Sequence, residues 1–424
     1  MSQGEFPLLS LQERDRRWNL IRGEMRRRGL DVLVLCGDQS NWGGNMANVR
    51  YVTGIGDMSW AVFPAKDEPI LLTWWVTPFE TKQNPQVDPL TSQIRAKVKP
   101  DTRTRSPWGL AAPWVREIRQ GWPRWSEPVL RALRDLGLER GAVGLVGASQ
   151  GLEPEGHFPW KTYEALRTAL PHASYVDATD IVEGARLCKS AEEIRCIEKA
   201  AEIADIGIEA LVKAARPGAD ESEVYGRVIG AMLAAGSERF VMIYWTSGQA
   251  PTHVQLFAPT HRTLQKGDLF LTEVTPRYAG YVAHPHQPVS VGAPLPEYQK
   301  MLELLREVHE AGLARLRPGV TMREMEEMLT RPVEAKGYSY LHLPFHGMGL
   351  AGLEFPNANF WGKANPIMAS PPDMKFEEGM VIAYEPMIST GDRKIGLQLG
   401  DTVILTRDGA RRLSRYAREI MVAG

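Results

Sequence analysis

Glu273, His284, His286, His346 and Glu385 are the side chains of this 424-residue sequence whose types and spacing could do chemistry together. All lie in its last third or so, each on or beside a segment that reads as a strand, at a strand end or turn. His284 and His286 are two residues apart, so an extended strand would carry both on one face. Imidazole beside carboxylate supplies the parts for general acid–base catalysis, for holding one divalent metal ion, or for both. A lone histidine on a strand is more often a satisfied core or surface residue. These five carry weight as a set.

The elements that must position them belong to a chain too long for one ordinary core. Two domains are expected, one over residues 1–180 and one over 185–424. An apolar content of 43% with 24% charge is that of a folded globular protein. A net charge of −1 gives no reason to expect nucleic acid or a membrane surface as partner. Cys36, Cys188 and Cys196 are odd in number, without metal-motif spacing, and imply no disulfide framework. Cys36 and Cys196 read as core residues. The opening residues lack an apolar core with a cleavage site, and no apolar run reaches the roughly 20 residues of a membrane span. The expected location is the cytoplasm.

In the first part, 11–29 reads as an amphipathic helix stopped at Gly29, followed by the apolar strand 31–36. Strand candidates follow at 51–56, 60–65 and 69–75, then helix 128–138, strand 142–147 and helix 161–171. The stretch 100–125 reads as a long loop. That alternation indicates an α/β domain. Beyond it, 189–215 is strongly helical and an internal echo begins. Residues 210–236 and 312–337 both read as helix, Arg-Pro-Gly, a second helix and Gly. Asp220 and Thr321 stand at N-cap positions with Glu223 and Glu324 three residues on, as in a capping box. Each echo is followed by β segments, so a duplicated αα-plus-β unit feeding a shared antiparallel sheet is expected.

This order, with NVRYVTGIGDMSWAVFPAKDEPILL (48–72), GDLFLTEVTPRYAGYVAHPHQPVSVG (267–292), FHGMGLAGLEFP (345–356), EGMVIAYEPMI (378–388) and GLQLGDTVILTRDG (396–409), resembles the pita-bread superfamily. That superfamily contains methionine aminopeptidase, aminopeptidase P, prolidase and creatinase. The resemblance covers nearly the whole chain and implies an α/β N-terminal domain plus an α+β pita-bread catalytic domain. In the family's peptidases, Asp, Asp, His, Glu and Glu hold two metal ions. Here those positions carry Glu273, His284, His346, Glu385 and Gly400, the last beside Asp401. A further family histidine falls on Leu353, and His286-Gln287 replaces the usual Thr-Arg. Glycine offers no ligand, and an imidazole nitrogen has one lone pair for one metal. A dinuclear site is therefore not expected.

The resemblance leaves several readings. In the one placed first, the chain is a creatinase-like, metal-free hydrolase of a C–N bond in a small polar substrate. His346, Glu385, His286 and His253 would handle protons, with Glu273 near the substrate. In the second it is a metal-dependent Xaa-Pro peptidase or a lyase like the dimethylsulfoniopropionate lyases. His284, His346, Glu385 and Glu273 would then hold a single Zn or Fe. The third reading is a non-catalytic peptide-binding module. The creatinase branch further implies a homodimer in which Asp57, Met58 and Trp60 approach the partner's site and touch substrate; for Trp60 alone the strand-core reading is preferred. His309 reads as an ordinary residue on a solvated helix.

Overall fold

The computed structural model describes residues 7–37, 44–55, 58–73, 86–88, 93–97, 114–121, 123–150, 155–238, 242–249, 259–341, 343–358, 370–392 and 394–424. These form two compact units, one built on Leu8–Arg186, the other on Leu187–Gly349 and Leu353–Gly424. The fold is an α/β unit followed by an α+β unit.

In the first unit an eight-stranded mixed sheet has Val32–Leu35 near its middle, antiparallel to Ser59–Pro64 and parallel to Ala142–Val146. Its uninterrupted apolar sequence matches a strand buried on both faces. The helix Leu11–Arg28 is capped by Ser10, whose side chain accepts from the Glu13 amide, and ends where Gly29 turns left-handed at φ 67°. Trp18, Ile21 and Met25 form its buried stripe. The strand expected at 51–56 is not formed. Tyr51–Thr53 instead closes the helix Gly44–Thr53. There the Thr53 hydroxyl donates to the Val49 carbonyl at 2.8 Å, a local bond that serine and threonine hydroxyls make within helices. The expected loop at 100–125 contains the strand Glu117–Gln120; residues 98–113 lie outside the described residues.

The second unit shows the duplication. Ala191–Ala214 with Glu221–Ala234, and Pro296–Arg315 with Met322–Ala335, are its two helix pairs. Thr321 and Glu324 close both halves of a capping box, whereas Asp220 accepts from the Ser222 and Glu223 amides. Each cap residue also forms an antiparallel bridge to the chain downstream, Asp220 to Thr263 and Thr321 to Lys375. The repeat therefore extends beyond the helices.

The expected shared sheet is divided. One part orders Met421–Ala423, Val289–Val291, Leu269–Thr275 and Met242–Gly248, the first two being parallel to each other. Another orders Glu354–Asn357, Phe345–Gly347, Val381–Tyr384, Asp401–Thr406 and Gly409–Arg412. Pro285, Pro288 and Pro386 stand where the ladders stop, because proline has no N–H to continue them. Among the described residues a bridge joins the segments leading into the two parts: His286 N donates to Gly400 O at 2.9 Å and Gly400 N to His286 O at 3.0 Å.

His309 is not solvated. It is fully buried on Pro296–Arg315, with Nε2 3.3 Å from Asp401, whose carboxylate also lies 2.7 Å from Arg412 Nε. The helix reads as polar because its charged neighbours point outward, and one histidine among them faces in. Burial holds this imidazole below its ordinary range, against the pull of Asp401.

A second buried acid gives a test of packing. Asp205, on Ala191–Ala214, is 4% exposed, and burial pushes its carboxyl up to about 6 against the pull of Arg415. A raised carboxyl means that the native state keeps its proton longer than the unfolded chain does. The stability this lends is complete below about pH 4 and is lost as pH rises through about 6. Asp205→Asn is expected to melt higher than wild type at pH 8, with the difference vanishing near pH 4. Thermal melts across that range check it, and a variant that melts lower at pH 8 contradicts it.

Candidate active site

Strand register places the carboxylates. Glu273 lies on Leu269–Thr275, a strand buried along its whole length, directly opposite Tyr244. Glu385 follows Val381–Tyr384, and its amide donates to the Pro344 carbonyl at 2.8 Å before Pro386 ends the ladder. His346 is central in Phe345–Gly347, opposite Ala383. The register shifts between His346 and Gly347, and a Cβ on Gly347 would lie 2.0 Å from the Phe355 carbonyl, so only glycine permits this crossing.

His284 and His286 are not on a ladder strand. Pro285 sits between them, and their extended link is pinned by His284 N donating to Thr402 Oγ1 at 2.7 Å and by the His286–Gly400 bridge. The two-residue spacing still brings the rings together, with centroids 4.3 Å apart and planes at 87°.

The five side chains converge, and none is more than 5% exposed. Glu385 is the hub. Its Oε2 lies 3.2 Å from both His284 Nε2 and His286 Nε2, and its Oε1 lies 3.2 Å from His346 Nε2. Glu273 approaches the same two nitrogens, 3.5 Å from His284 Nε2 and 3.9 Å from His286 Nε2. Gln398 donates to Glu273 Oε1 at 3.2 Å.

The electrostatics separate the two carboxyls. Burial raises both. In Glu273 it is reinforced by the charge of Glu385 and only partly opposed by Gln398, so that carboxyl is pushed well above its usual range. In Glu385 the charge of His346, hydrogen bonds from His284 and His346, and the charge of His286 outweigh burial and hold the carboxyl well below it. Two neighbouring carboxyls pushed in opposite directions can serve as an acid and a base of one residue type. Burial and the same two carboxylates also raise the phenol of Tyr244.

The outer nitrogens identify what the inner ones offer. His346 Nδ1 lies 2.8 Å from the Gly347 carbonyl, which only accepts, so this nitrogen carries a proton. His284 Nδ1 lies 2.7 Å from Thr275 Oγ1, whose own proton goes to the Glu273 carbonyl at 3.2 Å. The Nε2 atoms facing Glu385 donate the hydrogen bonds named above when they carry a proton, and offer lone pairs to a cation once that proton is lost. Metal-binding imidazoles are oriented in this way.

Donor atoms of Glu273, His284, His286 and Glu385 all lie within 4.8 Å of one another, a set of two imidazoles and two carboxylates that fits one divalent ion. His286, expected in proton transfer, belongs to this set, while His346 meets the opposite oxygen of Glu385. The site has no room for a ligand at position 400. A Cβ there would lie 2.4 Å from His286 Nδ1, 2.8 Å from the Tyr384 carbonyl and 2.9 Å from Glu385 Cα. Asp401 is no substitute, since its carboxylate is turned to His309 and Arg412. Position 400 therefore contributes no ligand to the site.

Thr275, Thr402 and Gln398 were missed in the sequence. Their signal was polarity inside strands that are otherwise apolar and buried, where a polar group needs a partner. Asp57 and His253 lie outside the described residues. Met58 is half-buried with φ 36°. Trp60, for which the strand core is the preferred reading over substrate contact, is 2% exposed within the core of the first unit, stacked on Trp125 at 5.6 Å and packed on Phe158.

Residues 195–407 match metallopeptidase family M24, and residues 17–188 match the creatinase/prolidase N-terminal domain. A Xaa-Pro dipeptidase of Pyrococcus horikoshii is 26% identical over 270 residues, 63% of this chain and 74% of that one. An uncharacterized peptidase of Bacillus subtilis is 28% identical over 269 residues, 62% of this chain and 71% of its own. Among solved structures, a Xaa-Pro dipeptidase from Bacillus anthracis superposes with a TM-score of 0.73 at 20% identity, covering 96% of this chain and 99% of that one. An X-Pro aminopeptidase from Thermotoga maritima gives 0.74 at 19% identity with the same coverage. These superpositions speak for the fold alone.

Position 400 offers a direct test of the packing. Gly400→Ala is expected to displace His286 and the chain at Glu385, at about 1–3 kcal/mol, the usual penalty for overpacking. Adding His286→Ala should restore only part of it, because the Tyr384 carbonyl and Glu385 Cα still crowd the new methyl group. Thermal melts of the single and double variants check this; a Gly400→Ala variant as stable as wild type contradicts it.

Proposed function

The chain belongs to metallopeptidase family M24, and from that we propose that it is a single-metal hydrolase cleaving the C–N bond of Xaa-Pro dipeptides. That it is a hydrolase follows from the family and from its dipeptidase relatives. The relatives favour the metal-dependent peptidase over the metal-free, creatinase-like reading that the sequence put first. The observation that carries the single-metal part is the pairing of Gly400 with His286, which removes one ligand position and fills its space with an imidazole.

Glu273, His284, His286 and Glu385 would hold the ion. When bound, a divalent ion supplies Lewis-acid polarisation of a carbonyl and makes water more acidic. The chain's own groups account for the rest. Glu385, held ionised, is the proton acceptor, and His346 on its far oxygen orients it and shares the proton. Glu273 holds the ion as a carboxylate, so its raised carboxyl gives up its proton on binding, and the proton that Glu385 accepts is the one returned to the leaving nitrogen. Burial of all five groups keeps bulk water from competing for these protons.

Two expectations stand as proposals beside this one. The enzyme is a homodimer, which light scattering at micromolar concentration checks. It works in the cytoplasm, where its three free cysteines stay reduced.

The metal-loaded enzyme is expected to hydrolyse Ala-Pro, to lose that activity to a chelator and to regain it with added metal. His346→Ala and Glu385→Ala should each lower kcat by about 10²–10⁴-fold, the range for losing a general acid–base group, with the fold intact by circular dichroism. Turnover of creatine that survives chelation would instead establish the metal-free reading.

A further inference from the structure

The strand Met242–Gly248 adds one side chain to the face that carries Glu273. Tyr244 is the register partner of Glu273 in an antiparallel pair, so both project from the same face as directly opposed neighbours. Its phenol lies within electrostatic reach of both Glu273 and Glu385. The next residue, Trp245, points the other way, is 1% exposed, and packs on Tyr225 and Phe270. Exposure separates Tyr244 from the cluster: it is half-buried, whereas Glu273, His284, His286, His346 and Glu385 are sealed.

The Tyr244 ring packs against the apolar core of its unit, which also contains Leu269, Leu271 and Tyr384. A ring so held has little freedom, and its hydroxyl is a donor and acceptor at a fixed place. The chemistry of the site leaves a role for such a donor. An ionised carboxylate and the imidazole nitrogens around it favour cations and N–H groups over oxygen acceptors. A dipeptide also brings a carbonyl oxygen and a terminal carboxylate, which need donors.

We propose that Tyr244 is a substrate-contacting residue, whose O–H donates a hydrogen bond to an oxygen of the dipeptide lying beside Glu273 and Glu385. The assignment rests on the hydrolase reading above. It also predicts selectivity, because a substrate lacking an acceptor oxygen at that point loses the contact.

Tyr244→Phe keeps the ring and removes only the hydroxyl. Wild type and variant, both full-length and loaded with cobalt(II), are compared for Ala-Pro hydrolysis, cobalt uptake and melting temperature. The expected result is equal cobalt uptake and equal melting, with kcat/KM lowered about 10–100-fold, as for a lost hydrogen bond to a charged or reacting group. Equal kcat/KM in the two proteins overturns the assignment of Tyr244 and leaves the hydrolase reading standing. Reduced cobalt uptake or melting in the variant also overturns it, since the phenol would then serve the ion or the fold. A wild type inert toward Ala-Pro takes down the hydrolase reading and this inference with it.

Discussion

An ionised carboxylate 4% exposed to solvent is stable only if its neighbours replace the water it has lost, and Glu385 has three imidazoles for that purpose. Much of the second unit's architecture serves this requirement. Two imidazoles come from the link between Tyr281–Val282 and Val289–Val291, the third from Phe345–Gly347, and the carboxylate from the end of Val381–Tyr384. Removing one partner of a buried charge typically costs about 3–5 kcal/mol, so these four pieces of chain are coupled. The bridge between His286 and Gly400 is where that coupling is made in the backbone.

Gly400 explains how a family scaffold accommodates an unusual set of side chains. A glycine there removes a ligand and also gives the His286 ring its space, so the two differences from the family pattern form one change. The neighbouring Asp401 is drawn to the opposite face by Arg412 and the buried His309. The acid–base asymmetry follows from the same arrangement. Glu385 has the imidazoles, which hold its carboxyl low, while Glu273 has a neutral amide and a charged neighbour, and burial pushes its carboxyl up.

Much of this was legible in the sequence, because it depends on local pattern and motif order. The Arg-Pro-Gly echo marked both helix pairs, and the five candidate side chains do meet. Parts that depend on contacts distant in sequence were not legible. His309 looked like a surface residue because the charges around it dominate the helix pattern, and only the fold shows Asp401 waiting behind it. Tyr51–Thr53 have strand-type side chains, yet a threonine–carbonyl bond and tertiary burial keep them helical. His284 and His286 were placed on one face for the right spacing but the wrong element, since Pro285 removes the ladder. Tyr244 carried no motif. Its place beside Glu273 is a matter of strand register, set by the pairing of two segments some thirty residues apart.

The central claim is that this site, built on a scaffold whose peptidases hold metal pairs, is shaped for one ion. The most direct measurement is the anomalous scattering of crystals soaked in excess cobalt or zinc, with occupancies refined for each chain. One peak among Glu273, His284, His286 and Glu385, and none beside Gly400, is the predicted result. Two peaks separated by about 3.5–4 Å, the spacing of two-metal sites, would contradict it.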